Sequence, residues 1–160
     1  MKKSKMIIAL VLVLSLTFAL TGCGSGYSSA EDVAEAYAQA YLDMDAEGML
    51  DCYPDFLFEY MEDELDMDRD DMIDELEDEF ENMEDEIDMD EVEIKKVKVK
   101  DDGDDLDDLS SWVEEAMSKD DKEAFEEWAK VEVKVDFDGE TDTLTVLCIC
   151  LDGSWHVLTF

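Results

Sequence analysis

Small apolar and acidic residues alternate with a helical repeat from residue 30 to residue 50. Val33, Ala36, Tyr37, Ala40, Tyr41 and Met44 recur every three or four positions and define one face of a helix. Ser29 with Asp32 three positions on predicts a capping box at its start. Gly48 and Pro54 punctuate the chain beyond it. A second stripe, Met72, Ile73, Leu76, Phe80, Met83 and Ile87, runs through an otherwise acidic segment. Asp68 or Asp70 can cap that helix, and acids in its first turn suit the helix dipole. Acids in its last turn do not, so tertiary packing must hold the stripe. Its methionines read as core filling rather than as a specialised groove.

From Glu91 the period changes to two. Val92 and Ile94 share one phase, Val97 and Val99 the other, and a bulge near Lys95-Lys96 reconciles them. "DDGDDLDDLSSWVEEAMSK" predicts a loop and then a helix with Leu109, Trp112, Val113 and Ala116 inward. A short helix carrying Phe125 and Trp128 is expected next. "KVEVKVDF" alternates Val131, Val133, Val135 and Phe137, and "DGET" turns the chain. "TLTVLCICL" is apolar on both faces, which marks a central strand. Asp152-Gly153 is a strong hairpin signal, and "SWHVLTF" forms the last strand. The expected fold class is α+β: N-terminal helices packed on one side of a curved antiparallel sheet of about four strands, with one helical insertion after the first strand.

The first residues have a different character. Lys2, Lys3 and Lys5 precede fifteen uncharged residues, "MIIALVLVLSLTFAL". This order of basic start, short apolar run and small residues marks a secretory signal peptide. The run is short for a membrane-crossing helix, which needs ~20 apolar residues. Leu20-Thr21-Gly22-Cys23 resembles the bacterial lipobox. That resemblance implies cleavage after Gly22 and a diacylglyceryl group on the Cys23 thiol. The chain therefore divides into a signal peptide at 1–22, a lipid-anchored tether at 23–29 and an acidic domain at 30–160. The implied location is extracytoplasmic, on the bacterial cell membrane, with Cys23 as the membrane partner.

Charge sharpens this reading. The chain has 12 basic and 48 acidic residues, and three of the lysines lie in the signal peptide. Nucleic acid is excluded as a partner, because phosphate binding needs clustered Lys and Arg. Anionic lipid repels such a body, but only within ~8 Å at physiological salt. "GSGYSS" is long enough to span ~20 Å when extended. Three Trp, five Tyr and seven Phe supply a core and argue against disorder. The lysines of "EVEIKKVKVK" face the acidic surface or solvate a sheet edge; the sequence leaves both readings open.

Candidate chemistry is sparse. Counting from Asp66, the acids Asp68, Asp70, Asp74 and Glu77 fall at positions 3, 5, 9 and 12 of an EF-hand-like loop. Its sixth position should be glycine and is Asp71. The competing and preferred reading is a helix that begins at once, capped by Asp68. Only weak, non-specific binding of divalent cations is expected, with no metal site and no cofactor. His156 is the single histidine, and its neighbours Trp155 and Val157 point the opposite way along the strand. Cys148 and Cys150 share one strand face. Cys52 can pair with one of them outside the cell. Alternatively, all three are buried thiols.

The alanine- and tyrosine-rich first helix with "YLDMDAEGMLD", and the closing "DGSWHV" hairpin, resemble the nuclear transport factor two-like (cystatin-like) superfamily. The resemblance implies a cone-shaped sheet with a pocket at its wide end, and a homodimer through the outer sheet face. No position matches a catalytic motif of that superfamily. The expected function is a non-catalytic binding or accessory domain for a small molecule or peptide. The alternatives are an isomerase- or dehydratase-type enzyme of the same superfamily, or an acidic cation-binding surface module.

Overall fold

Ser29 starts the first helix, as its spacing predicts. Its hydroxyl accepts the Asp32 N–H at 3.1 Å, while the Asp32 carboxylate accepts from the Ser28 hydroxyl, so the box is half closed. The computed structural model describes residues 26–84, 92–137 and 140–158. The signal peptide, Gly22 and Cys23 lie outside the described residues, as do Ile87, the side chain of Met83 and the Asp138-Gly139 turn.

Helix α1 (Ala30–Leu42) buries Val33, Ala34, Tyr37, Ala38 and Ala40. Two short helices follow, α2 (Ala46–Leu50) and α3 (Asp55–Leu65). Pro54 holds an extended φ/ψ immediately before α3, a conformation that its ring favours. Helix α4 (Arg69–Glu84) then begins at once. The Asp68 carboxylate accepts the Asp71 N–H at 3.0 Å, and the Asp71 carboxylate accepts the Asp68 N–H at 3.3 Å. These reciprocal bonds satisfy helix-start donors that the chain alone leaves unpaired. Met72 and Phe80 are buried, and the Phe80 ring meets Tyr41 of α1 edge-on at 5.9 Å. The tertiary contact demanded by the acidic last turn is therefore made to α1.

Four antiparallel strands lie in the order β1 (Val92–Gly103), β2 (Phe125–Phe137), β3 (Glu140–Leu151) and β4 (Ser154–Val157). Ile94 pairs with Val135 and Lys96 with Lys134, which leaves Lys95 as the extra residue. This bulge puts Val92, Ile94, Val97 and Val99 on the face of Val131, Val133 and Val135. A second shift between Val99 and Asp101 has no periodicity signal in the sequence. Asp152 and Gly153 both have positive φ, 50° and 78°. That is the geometry of the tight turn whose twist matches a hairpin.

Between β1 and β2 stand a 3-10 turn (Leu106–Asp108), α5 (Ser111–Ala116) and α6 (Lys119–Ala124). The expected helix through Phe125 and Trp128 is corrected here. Helix α6 stops at Ala124, and both aromatics belong to β2. Trp128 pairs with Gly103 on one side and Ile149 on the other. Long-range pairing outweighs the local helical pattern. The absent side chain of Gly103 matters, because a Cβ there would lie 2.9 Å from the Trp128 ring.

Helix α1 contacts all four strands and covers the face that carries the valines. Trp155 belongs to that face, opposite Cys150, and is 8% exposed. Its N–H donates to the Tyr27 carbonyl at 3.0 Å, so the chain entering α1 adds a short bridge to β4. The expected tether thus meets the fold at Tyr27, before its predicted end at residue 29. The opposite face buries Trp128 and Ile149 at one end and exposes charged residues at the other.

Trp155→Ala should lower unfolding stability by ~3–5 kcal/mol, the cost of removing a large core aromatic. Denaturant melts measure it. A loss below about 1 kcal/mol would place the ring outside the core.

Candidate functional site

Cys52 follows α2, and its carbonyl accepts the Val157 N–H at 2.7 Å. That bond ties the α2–α3 loop to β4. The Cys52 thiol donates to the Gly48 carbonyl at 3.4 Å and lies 3.7 Å from the Tyr27 hydroxyl. Beside it, the Tyr53 hydroxyl donates to the Tyr37 hydroxyl at 3.3 Å, with the two rings edge to face. Cys148 projects from the α1-covered face of β3 and donates weakly to the Ala30 carbonyl at 3.8 Å. Two thiols and three phenols thus converge where α1, the α2–α3 loop and β4 meet.

Burial holds these groups neutral. It pushes the Cys52 thiol up to about 11 and the Cys148 thiol up to about 12. The Tyr27, Tyr37 and Tyr53 phenols are raised for the same reason. A nucleophilic cysteine needs the thiolate near neutral pH. This cluster disfavours it, so its chemistry is that of a polar core. Cys150 donates to the Glu126 carboxylate at 3.3 Å, and burial followed by that carboxylate pushes it to about 11. Cys52, Cys148 and Cys150 are free, buried thiols in this structure.

His156 is half-buried on the face opposite Trp155 and Val157, as alternation predicts. Burial lowers its pKa, opposed by the Asp55 carboxylate and a hydrogen bond with the Tyr53 backbone. Nearer the surface, α3 and α5 frame a cleft of about 280 Å³ lined by Glu59, Tyr60, Asp63, Glu64, Glu115 and Ala116. All four carboxylates are exposed. The cleft can concentrate cations loosely, but it lacks a desolvated acid beside a second titratable group. Among the described residues, no cluster of three or more His, Cys, Asp or Glu is arranged to hold a metal ion. Asp66 of the EF-hand-like stretch caps the end of α3, Asp68 and Asp71 form the reciprocal bonds at the start of α4, and Asp70, Asp74 and Glu77 lie on α4.

Sequence reasoning missed Tyr27. Its only signal was an aromatic side chain within a run of glycine and serine. Among the described residues, no helix is long and apolar enough to cross a membrane. Comparison with protein-family models, curated proteins and solved structures returned no match.

Calcium calorimetry should show no single saturable site at residues 66–77. A stoichiometric isotherm abolished by Glu77→Gln would refute the capping assignment.

The buried thiols also set a pH dependence. Their folded pKa values lie above the ordinary value of 9, at about 11 and 12. Their contribution is complete below about pH 9 and is lost as pH rises toward those values, because the unfolded chain releases the protons first. Unfolding stability should fall over that interval. Cys148→Ala should flatten the decline; an unchanged slope contradicts the burial of this thiol.

Proposed function

We propose that this chain is a membrane-anchored extracytoplasmic lipoprotein, cleaved after Gly22 and lipidated on Cys23. Its α+β domain, of the nuclear transport factor two-like kind, binds a small molecule or peptide without catalysing a reaction. The observation that carries the anchor is the Leu20-Thr21-Gly22-Cys23 box, set behind a basic start and an uncharged run. Two acyl chains suffice for stable anchoring, at ~0.8 kcal/mol per buried methylene. The body then needs no basic patch for attachment.

The point where the chain joins the fold agrees with this reading. Tyr27 is bridged to β4, four residues after Cys23. Extended chain covers ~3.3–3.6 Å per residue, so the anchor holds the β4 edge within ~15 Å of the lipid. The superfamily reading draws support from the helix-on-sheet layering and from the Asp152-Gly153 turn that seats Trp155. On this reading the sheet curves into a cone whose wide end takes the ligand. Absence of catalysis is supported by the chemistry of the interior: its deepest titratable groups are neutral thiols and phenols, and the cleft acids stand in solvent.

Mass spectrometry of the membrane fraction should find residues 1–22 absent and Cys23 acylated. Cys23→Ala should shift the protein out of the lipid-modified pool. A soluble mature chain with a free Cys23 thiol rejects the proposal.

A further inference from the structure

Helix α4 is built against its own charge. Asp70 stands one turn before Asp74, Asp71 before Glu75, Asp74 before Asp78, Glu75 before Glu79 and Glu77 before Glu81. Like charges four residues apart destabilise a helix. Arg69 is the one cation of α4, and it has Met72 and Ile73 at the three- and four-residue spacings, so it offsets none of these pairs. The acids of the first turn suit the helix dipole, but the last turn holds Glu81 and no base. All of these carboxylates are exposed, and none forms an ion pair among the described residues.

Little apolar contact offsets that repulsion. Among the described side chains of α4, Met72 and Phe80 are buried and Ile73 and Leu76 half-buried. The helix meets α2 more than any other element, and Phe80 reaches Tyr41 of α1. Its other end is latched by Arg69, the only arginine of the chain. That guanidinium bonds the Asp51 carboxylate at 2.5 Å and lies over the Phe58 ring, 5.4 Å from its centre. Asp66, Met67 and Asp68 alone join α4 to α3, and Asp66 holds a φ of 56°. A short connector at element ends can absorb the rotation of a hinge. The sheet is different, with Val131, Val133, Val146 and Ile149 fully buried. Elements with few buried contacts open at lower free energy than the core.

We propose that α4 is a cation-responsive strap. It opens as a unit about the Asp66–Asp68 connector when small mobile cations are scarce, and it closes onto α1 and α2 as they screen its carboxylates. The controlling agent is the ion atmosphere rather than an ion in a fixed site, because the carboxylates stand in solvent and, among the described residues, form no metal-holding cluster. Residues one turn apart lie about 5–6 Å from each other. The screening length is about 30 Å at 0.01 M salt and about 3 Å at 1 M, so the same pairs repel strongly at the first and weakly at the second. Opening parts Phe80 from Tyr41 and uncovers the α1–α2 surface, while the seam between α1 and the sheet stays closed.

Hydrogen exchange of the full chain in neutral detergent, read by mass spectrometry, tests this. Peptides from 69–84 are compared with peptides from β2 and β3 at about 0.01 M and about 1 M sodium chloride. At the lower salt α4 should exchange about tenfold or more faster than the sheet, and its protection should rise about tenfold at the higher salt, the scale of several weak like-charge pairs. Asp74→Asn, Asp78→Asn and Glu81→Gln together should raise α4 protection at low salt and remove most of its salt dependence. Arg69→Gln should lower α4 protection at both salts and leave the sheet protected, which also reports that the variant is folded. Equal protection of α4 and the sheet at low salt overturns the proposal. So do α4 protection indifferent to salt, a triple variant that exchanges like the unsubstituted chain, or α4 protection that saturates at one equivalent of calcium or magnesium at low salt, the mark of a discrete site.

Discussion

Contact between the small-residue face of α1 and the valine-bearing face of the sheet is what the other helices depend on. Ala34 and Ala38 let the helix lie close, while Val33 and Tyr37 fill the space beside them. Val131, Val133, Val146 and Val157 are fully buried beneath it. Each such side chain contributes ~1.5–3 kcal/mol relative to exposure. That contribution must offset both chain entropy and the self-repulsion of a strongly acidic body. Helix α4 has little of its own to hold it, since its last turn is acidic and its stripe is narrow. It is fixed through Phe80 to a helix that is already fixed to the sheet.

The bulge at Lys95 follows from the same constraint. Without it, Val97 and Val99 would turn away from α1 and Lys96, Lys98 and Lys100 would turn inward. One inserted residue keeps Val92, Ile94, Val97 and Val99 on the covered face and Lys96 and Lys98 on the other. The outward placement of Lys96 and Lys98 is therefore a consequence of how the core is built. An edge strand rich in lysine also resists pairing with another edge.

Local signals made much of the fold legible. The Ser29 cap, the alternation in β2, the bulge and the Asp152-Gly153 turn each depend on residues close in sequence, and each appears as its pattern implies. Phe125 and Trp128 were misplaced because their state is set by partners distant in sequence, Leu151 for Phe125 and Gly103 with Ile149 for Trp128. Tyr27 was hidden for the same reason: its carbonyl meets Trp155 from the far end of the chain. The clustering of Cys52 with Tyr27, Tyr37 and Tyr53 was equally out of reach, since no spacing rule connects a loop, a helix and an entering strand. Cys148 and Cys150 were correctly placed on one face, but their separate partners, Ala30 and Glu126, come from tertiary structure.

These placements bear on how the proposed anchor and the acidic body coexist. Because Tyr27 is bridged to β4, the span between lipid and fold is shorter than the residue count to α1 implies. At ~15 Å it still exceeds the ~8 Å over which exposed charges act at physiological salt. Repulsion from anionic headgroups therefore limits close approach without opposing attachment.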